Sequence, residues 1–347
     1  MLDIFKIRAV LDEASKWDMD YKAFGSEVHL HLLRQPLPLR ELEAWEEQAK
    51  VTLPKDYKTY LTRLGNGGAG PAYGLHPFSP PMVKFLRRPC VYSIDREKEY
   101  QEMLRKNRHW DETEEWDIYL EYFPDSPGRT DPNWREVHLE EWIHQLEQCL
   151  DRDIVDPMLY NGQMFIANEG CTMDRYLILN GSHRGFVHYS GDLDYAYNLP
   201  PTFDQYQKEQ LKQSFAAYYM KYVDKTEDFC RNMPAEKRSR AEWERAQVRD
   251  FLSAMEVSDW QGAKQLLKAI GDSRNLSKKS RSLFHQYETP MMQAFPEDEM
   301  VRQFFDGAFG SWNSYGYPNE PISFQEDGGR WHNPRQSFKA FVQTFYD

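Results

Sequence analysis

Residues that could support covalent chemistry stand close together in one part of this chain. They are Cys171, Asp174, His183 and His188. A cysteine nucleophile needs a histidine base and an orienting carboxylate within hydrogen-bond reach. This part of the sequence has neither the strand-to-helix elbow nor the oxyanion motif that such catalysis uses. The residues are therefore interpreted as structural, and we expect neither an enzyme activity nor a cofactor.

A metal site is the chemistry to consider at His29 and His31, which stand two apart in "EVHLHLL". The alternation of this stretch predicts a short strand, on which both rings would share one face. Zinc sites, however, use three or four protein ligands. No third ligand of matching type stands nearby, so the sequence predicts no metal site.

The glycine-rich end of "LPKDYKTYLTRLGNGGAG" raises the question of phosphate binding. A phosphate loop follows a strand and opens a helix, whereas these glycines follow a helix. Tyr57, Leu61 and Leu64 recur at helical spacing, Pro54 suits the first turn, and Gly65 suits a left-handed helix end. The pattern predicts the end of a helix and no nucleotide site at this turn.

The strongest candidate for a binding surface is "HWDETEEWDIYLEYF", in which carboxylates surround aromatic rings. Protein interfaces favour aromatic anchors inside a charged rim. A solvated helix face is the alternative reading of such a charged run. The predicted partner-binding residues are Trp110, Asp111, Glu112, Glu114, Glu115, Trp116, Asp117 and Glu121.

The charge of the chain is concentrated in the same region. The formal net charge is −12, and residues 95–156, with 19 acidic and 8 basic residues, carry −11 of it. A field of this sign repels nucleic acid and attracts basic partners. We expect a basic protein partner and no nucleic acid.

Composition excludes other classes of protein. No run of 18 apolar residues exists, which predicts no membrane span, and the N-terminus lacks the features of a secretory signal. The four cysteines stand far apart without Cys-x-x-Cys pairs, which favours a reducing compartment. The chain is predicted to be cytoplasmic, and its sequence does not indicate an oligomeric state.

Periodicity predicts the elements that position these residues. A helix should open the chain, and the strand "EVHLHLL" should follow it. A second helix is predicted over "RELEAWEEQAK", with Leu39, Leu42 and Trp45 on one side, and a third over "VTLPKDYKTYLTRLG". The strands "GQMFIANEG", "DRYLILN" and "RGFVHYS" follow a charged helical insertion at about residues 84–160. Asn180-Gly181-Ser182 should join the last two strands, with "RYLILN" as a central strand. A long helix from Phe203 to about Cys230 precedes four more, at "AEWERAQVRDFLSAM", "DWQGAKQLLKAIG", "KKSRSLFHQYETPMMQAF" and "EDEMVRQFFDGAF". A last helix, "PRQSFKAFVQTFYD", closes the chain.

These segments predict an α+β fold with three parts. Residues 1–36 form a helical N-terminal extension, and residues 37–230 form an α+β domain that contains the acidic insertion. Residues 231–347 form a mostly helical C-terminal domain, because charge balance and periodicity both change near residue 230.

The segment "ELEAWEEQAKVTLPKDYKTYLTRLGNGG", followed by these strands, resembles the SUKH superfamily, of the Smi/Knr type. The residues that match its most specific motif are Trp45, Leu53, Pro54, Tyr57, Leu61, Asn66, Gly67 and Gly68. The resemblance covers roughly residues 37–223. The acidic insertion and the C-terminal helices depart from the family pattern.

The resemblance implies helices packed on a mostly antiparallel sheet. It also implies an immunity protein of interbacterial competition, which binds and neutralises a cognate toxin. Together with the acidic segment, it predicts a toxin with a basic cleft. The alternative that the family offers is a non-catalytic interaction scaffold or regulator.

Overall fold

The computed structural model of the chain describes residues 1–80, 83–90, 161–170, 173–190, 204–205, 208, 211, 213–309 and 338–346. The acidic segment 95–156 lies outside the described residues, and so do Cys171 and all the predicted partner-binding residues from Trp110 to Glu121.

The described part is α+β, as predicted: helices accompany a small antiparallel sheet. The helices that precede the sheet are α1 (Ile4–Trp17), α2 (Ser26–His29), α3 (Leu39–Ala49), α4 (Lys55–Arg63) and α5 (Val83–Leu86). The sheet consists of β1 (Gln163–Asn168), β2 (Asp174–Ile178), β3 (Phe186–Ser190) and β4 (Gln213–Ser214), in that order and with antiparallel neighbours. The strand β2 therefore lies between β1 and β3, which confirms its predicted central position.

Helices make up the rest of the described chain. They are α6 (Phe215–Arg231), α7 (Ala235–Glu256), α8 (Trp260–Ile270), α9 (Lys278–His285), α10 (Glu288–Ala294), α11 (Glu299–Phe309) and α12 (Phe338–Tyr346). The predicted helix over "KKSRSLFHQYETPMMQAF" is in fact two, α9 and α10. Pro290 explains the break, because proline fits only the first turn of a helix, and it lies in the first turn of α10.

The predicted strand "EVHLHLL" is wrong. Residues 26–29 form α2, and Leu30 and His31 have positive φ angles of 55° and 58°. His29, Leu30 and His31 are all buried, so the stretch has no alternation between an inner and an outer face. Only Leu33 bridges another extended residue, Gly68.

The predicted long helix from Phe203 to about Cys230 is not continuous. Phe203 lies outside the described residues, residues 204, 205 and 208 are helical, and the chain is extended at Gln213 and Ser214. The helix α6 begins at Phe215, because Gln213 and Ser214 pair with β3 as the edge strand β4. The Ser214 hydroxyl then caps the helix by accepting a hydrogen bond from the Ala217 N–H at 3.3 Å. Serine is a preferred N-cap residue, and this signal locates the true start.

The glycine turn after α4 connects this helix to the sheet. Gly67 and Gly68 have positive φ angles of 86° and 99°, whereas Gly65, which we expected to be left-handed, does not. Gly68 exchanges backbone hydrogen bonds of 2.8 Å with Leu75, which in turn bridges Ala167 of β1. The N–H groups of this turn donate to protein carbonyls: that of Gly65 to Tyr60 and that of Gly68 to Leu75.

We expect Gly67→Ala to lower the free energy of unfolding by at least about 2 kcal/mol, because a non-glycine residue is strained at this φ angle. An added Cβ would also meet the Leu75 carbonyl oxygen at 2.7 Å. Gly185→Ala is the matched control: its φ is 93°, but its nearest neighbour, a Pro54 side-chain carbon, lies at 3.4 Å. Urea denaturation should show a smaller loss for Gly185→Ala. Equal losses would mean that the backbone around Leu75 accommodates the methyl group.

Buried apolar side chains form two clusters. The first joins α1, α3, α4 and α6 to the sheet, and the second joins α7 to α12. The N-terminal segment contributes to both, because Ile7 and Val10 belong to the first cluster and Met19, Tyr21 and Leu30 to the second. The domain boundaries near residues 36 and 230 stay a prediction.

Candidate functional site

The three described residues of the set considered for covalent chemistry, Asp174, His183 and His188, have separate partners. The Asp174 carboxylate accepts a hydrogen bond of 2.7 Å from the Asn168 side-chain amide, and His183 lies 3.0 Å from the Ser182 hydroxyl. The His188 ring is buried, with Nε2 against the Gln163 side chain. Burial lowers the pKa of His188 to about 4. These contacts stabilise the sheet and its loop.

His29 and His31 contribute to a buried polar network centred on Asp18. Its carboxylate accepts hydrogen bonds from the Lys22 N–H (2.6 Å), the Ala23 N–H (3.2 Å), the Ser26 hydroxyl (2.8 Å) and His31 Nε2 (2.9 Å). Burial alone would raise the pKa of Asp18, but the hydrogen bond and the charge of His31 lower it overall. The network fixes the turn between α1 and α2. Within the described ranges, no group of three or more His, Cys, Asp or Glu residues is arranged to hold a metal ion.

His29 makes folding stability depend on pH. Its Nδ1 accepts a hydrogen bond from the His31 N–H at 3.1 Å, and the ring is buried. Burial, and then the neighbouring His31, lower the pKa of His29 well below its ordinary value.

We expect His29→Asn to make stability less sensitive to acid. Below about pH 6.5 the unfolded chain binds a proton at His29 that the folded chain does not bind, so stability falls as the pH decreases. Asparagine keeps an acceptor near the Nδ1 position and does not titrate. Urea denaturation between pH 7 and 5 should show a slope shallower by up to about 1.4 kcal/mol per pH unit, the effect of one proton. An unchanged slope would contradict the neutral state of buried His29.

The candidate site is a hollow between the N-terminal turn, the sheet and α6. Its cavity volume is about 500 Å³, a size typical of small-molecule sites. Lys22 lies on one wall, Glu169 and Arg175 lie on the sheet side, and one face of α6 supplies Lys221 and Lys225. We call it the lysine hollow. Its four basic side chains face a single acidic one, Glu169.

The arginine of the lysine hollow is held in a defined position. Its Nη2 atom lies 2.6 Å from Glu169 Oε2, and the Tyr218 hydroxyl donates to Glu169 Oε1 at 3.1 Å. The guanidinium also lies over the Tyr189 ring, 4.9 Å from its centroid. An arginine ordered in this way presents its remaining donors at little entropic cost.

A second hollow adjoins the first and shares Lys22, Lys225 and Phe229 with it. Its volume is about 390 Å³. Four basic residues line it, Lys22, Lys225, Lys237 and Arg240, but so do four acidic ones, Asp18, Asp20, Asp228 and Glu244. The formal charge of this second hollow is therefore zero. Of the two hollows, the lysine hollow is the one that carries an excess of positive charge.

The sequence patterns do not predict the lysine hollow, because the segment from Phe203 to Cys230 is interpreted by its apolar side alone. The available signal was the pair Lys221 and Lys225, one helical turn apart and interleaved with Tyr218 and Tyr222.

The residues of the SUKH-like motif have structural contacts in the first apolar cluster. Tyr57 and Leu61 are buried there, and Tyr57 packs edge-on against Phe215 of α6 at 5.0 Å between ring centroids. The Leu53 carbonyl accepts a hydrogen bond of 2.8 Å from Arg184 in the β2–β3 loop. Asn66 Oδ1 accepts one of 2.7 Å from the Phe78 N–H.

Other motif side chains are less enclosed. Trp45 is half-buried and packs edge-on against Phe78, at 4.9 Å between ring centroids. Leu39, which we expected on the same buried side of α3, is 50% exposed. The helix thus turns a narrower apolar stripe toward the core than its sequence predicts.

The function of this protein has to be argued from its own residues. None of the described helices combines the length and the apolar character that crossing a membrane requires. Comparisons of the chain with protein-family models, with curated proteins and with solved structures found no match.

Proposed function

We propose that this chain is a non-catalytic, SUKH-type immunity protein that binds and neutralises a cognate toxin. The observation that carries the proposal is the arrangement of residues 53–68. Their helix packs into the cluster that contains the sheet, and their glycine turn bridges through Leu75 to β1. Helices packed on an antiparallel sheet around this motif are what the resemblance implies.

The charge distribution supports a toxin with a basic cleft. Residues 95–156 carry a net charge of −11 and interleave tryptophan with carboxylates. Complementary charge accelerates the capture of a partner, and buried aromatic anchors slow its release. The proposal includes no cofactor and no nucleic acid.

Two further features belong to the proposal. The protein acts in the cytoplasm, which is supported by Cys230, a buried cysteine outside any disulfide. Burial raises the pKa of Cys230 to about 12, which keeps it in the unreactive thiol form. The helices from α7 onward form an additional domain, supported by the second apolar cluster.

The test is to capture the partner with the tagged full-length chain in cells of its source, to identify it and to measure the binding kinetics at two salt concentrations. Reversal of Glu114, Glu115 and Asp117 to lysine should slow association at least about tenfold at low salt and flatten its salt dependence. Trp116→Ala should accelerate dissociation.

The matched control reverses three exposed acids of α7, Glu236, Glu242 and Asp250, to lysine. It changes the net charge equally but leaves the acidic segment intact. Equal slowing by both triple variants would show that total charge, and not this segment, attracts the partner. A captured partner without toxicity in cells that lack this chain would support the scaffold alternative and contradict the immunity function.

A further inference from the structure

The three lysines of the lysine hollow have no ion-pair partner in the part of the chain that the structure describes, whereas Arg175 is paired with Glu169. Among the described residues, none forms an ion pair with the ammonium group of Lys22, Lys221 or Lys225. The Nε atom of Arg175 is buried and has no hydrogen-bond partner among them either. A buried donor without a partner is uncommon in folded proteins and is available to a water, an ion or a ligand.

The acids of α6 are occupied elsewhere, which explains the unpaired lysines. Asp224 and Glu227 bind Lys6 of α1 at 2.9 and 2.8 Å. Asp228 binds Arg231 at 3.0 Å. Asp224 and Asp228 would otherwise lie within reach of a helical lysine three residues away, Lys221 and Lys225 respectively. The ammonium groups of Lys221 and Lys225 are therefore not neutralised by acids of α6 and can bind an anion in the hollow.

The four basic groups approach one space from separate elements. Lys22 comes from the turn before α2, Arg175 from β2, and Lys221 and Lys225 from consecutive turns of α6. In a chain with a net charge of −12, such convergence is not explained by overall composition. Converging lysines with one oriented arginine match a compact anion that carries several charges, and arginine and lysine are the side chains that bind phosphate.

The hollow also has an apolar side. Phe229 and Phe24 line it, and Phe24 is 69% exposed, in contact with Tyr73 at 5.4 Å between ring centroids. An inorganic ion would leave this side in water, whereas an organic group attached to the phosphates would cover it.

We propose that the lysine hollow binds a small molecule with two or more linked phosphate groups. The phosphates contact Lys22, Lys221, Lys225 and Arg175, and an attached ring packs on Phe24 and Phe229. The inference uses no residue of the glycine turn after α4 and none of the acidic segment. The inference is thus independent of the proposed function.

The experiment is titration calorimetry of the full-length chain with ATP, inorganic tripolyphosphate and citrate at low salt. ATP and tripolyphosphate should bind with a Kd below about 100 µM, and citrate at least tenfold more weakly. Tighter binding of ATP than of tripolyphosphate supports the proposal, including the ring contact with Phe24 and Phe229. Binding of tripolyphosphate as tight as that of ATP would overturn the ring contact and support the phosphate contacts alone.

The variants locate the site. Lys221→Gln with Lys225→Gln should weaken phosphate binding at least tenfold. The matched control, Lys237→Gln with Lys268→Gln, removes two exposed lysines outside the lysine hollow and should change the Kd less than threefold. Melting curves verify that both variants fold. The proposal is overturned if no phosphate compound binds below 1 mM, if citrate or an acidic peptide binds as tightly, or if both double variants lose affinity equally.

Discussion

Replacing Asp18 by alanine is expected to lower the free energy of unfolding by about 3–5 kcal/mol, as the loss of one partner of a buried charged network does. Asp18 is 2% exposed, and its carboxylate accepts four hydrogen bonds. Its removal leaves the buried His31 ring and the Lys22 and Ala23 N–H groups without this acceptor, whereas the Ser26 hydroxyl can still donate to the Ala23 carbonyl at 2.7 Å. Unmade buried hydrogen bonds are costly. Urea denaturation at pH 7 measures the change.

The control for this prediction is Asp20→Ala, two residues along the same turn. Asp20 is exposed, and its carboxylate accepts one hydrogen bond of 3.1 Å, from the Lys278 N–H. Asp20→Ala should lower the free energy of unfolding by about 1 kcal/mol or less. Similar losses for the two variants would mean that the turn between α1 and α2 is held by its apolar residues and not by the Asp18 carboxylate.

The conformation of this turn was not predictable from local pattern. The alternation of "EVHLHLL" satisfies the strand period, and the stretch contains neither proline nor glycine to exclude a strand. What decides the outcome is the hydrogen bonding of Asp18 to Ser26 and His31, eight and thirteen residues away. Short patterns of this kind are overruled by tertiary contacts.

The region of the sheet was predictable because several signals agree there. The strands β1 to β3 are indicated by the spacing of their apolar residues, by their content of β-branched and aromatic residues and by the glycine-containing turn. The structure confirms these three strands. The apolar stripe of α4 likewise predicted the burial of Tyr57 and Leu61. Agreement between local propensity and global packing is what makes such segments predictable.

The lysine hollow was not predictable for a different reason. From sequence alone, Lys221 and Lys225 would be assigned to Asp224 and Asp228 on the same helix, three residues further on. In the structure, Asp224 forms an ion pair with Lys6, 218 residues earlier in the chain, and Asp228 forms one with Arg231. Which charges remain unpaired thus depends on long-range packing that no sequence pattern encodes.

Leu61→Ala should lower the free energy of unfolding by about 2–5 kcal/mol, the range for removing a buried leucine side chain. Leu61 is 0% exposed and belongs to the apolar cluster that joins α4 to the sheet and α6. The loss combines the transfer free energy of the removed atoms with the cavity they leave. The same cluster contains packed rings, with Tyr57 stacked on Tyr60 and Phe215 edge-on against both, so we expect little collapse and a value toward the upper end.

Leu39→Ala is the matched control, because it makes the same chemical change on α3 at a side chain that is 50% exposed. Its effect should stay within about 0.5 kcal/mol, as for most surface substitutions. Melting temperatures and urea denaturation measure both variants. If Leu61→Ala changed stability no more than Leu39→Ala, α4 would not pack its apolar stripe into the core. The arrangement of residues 53–68, on which the proposed immunity function depends, would then lose its support.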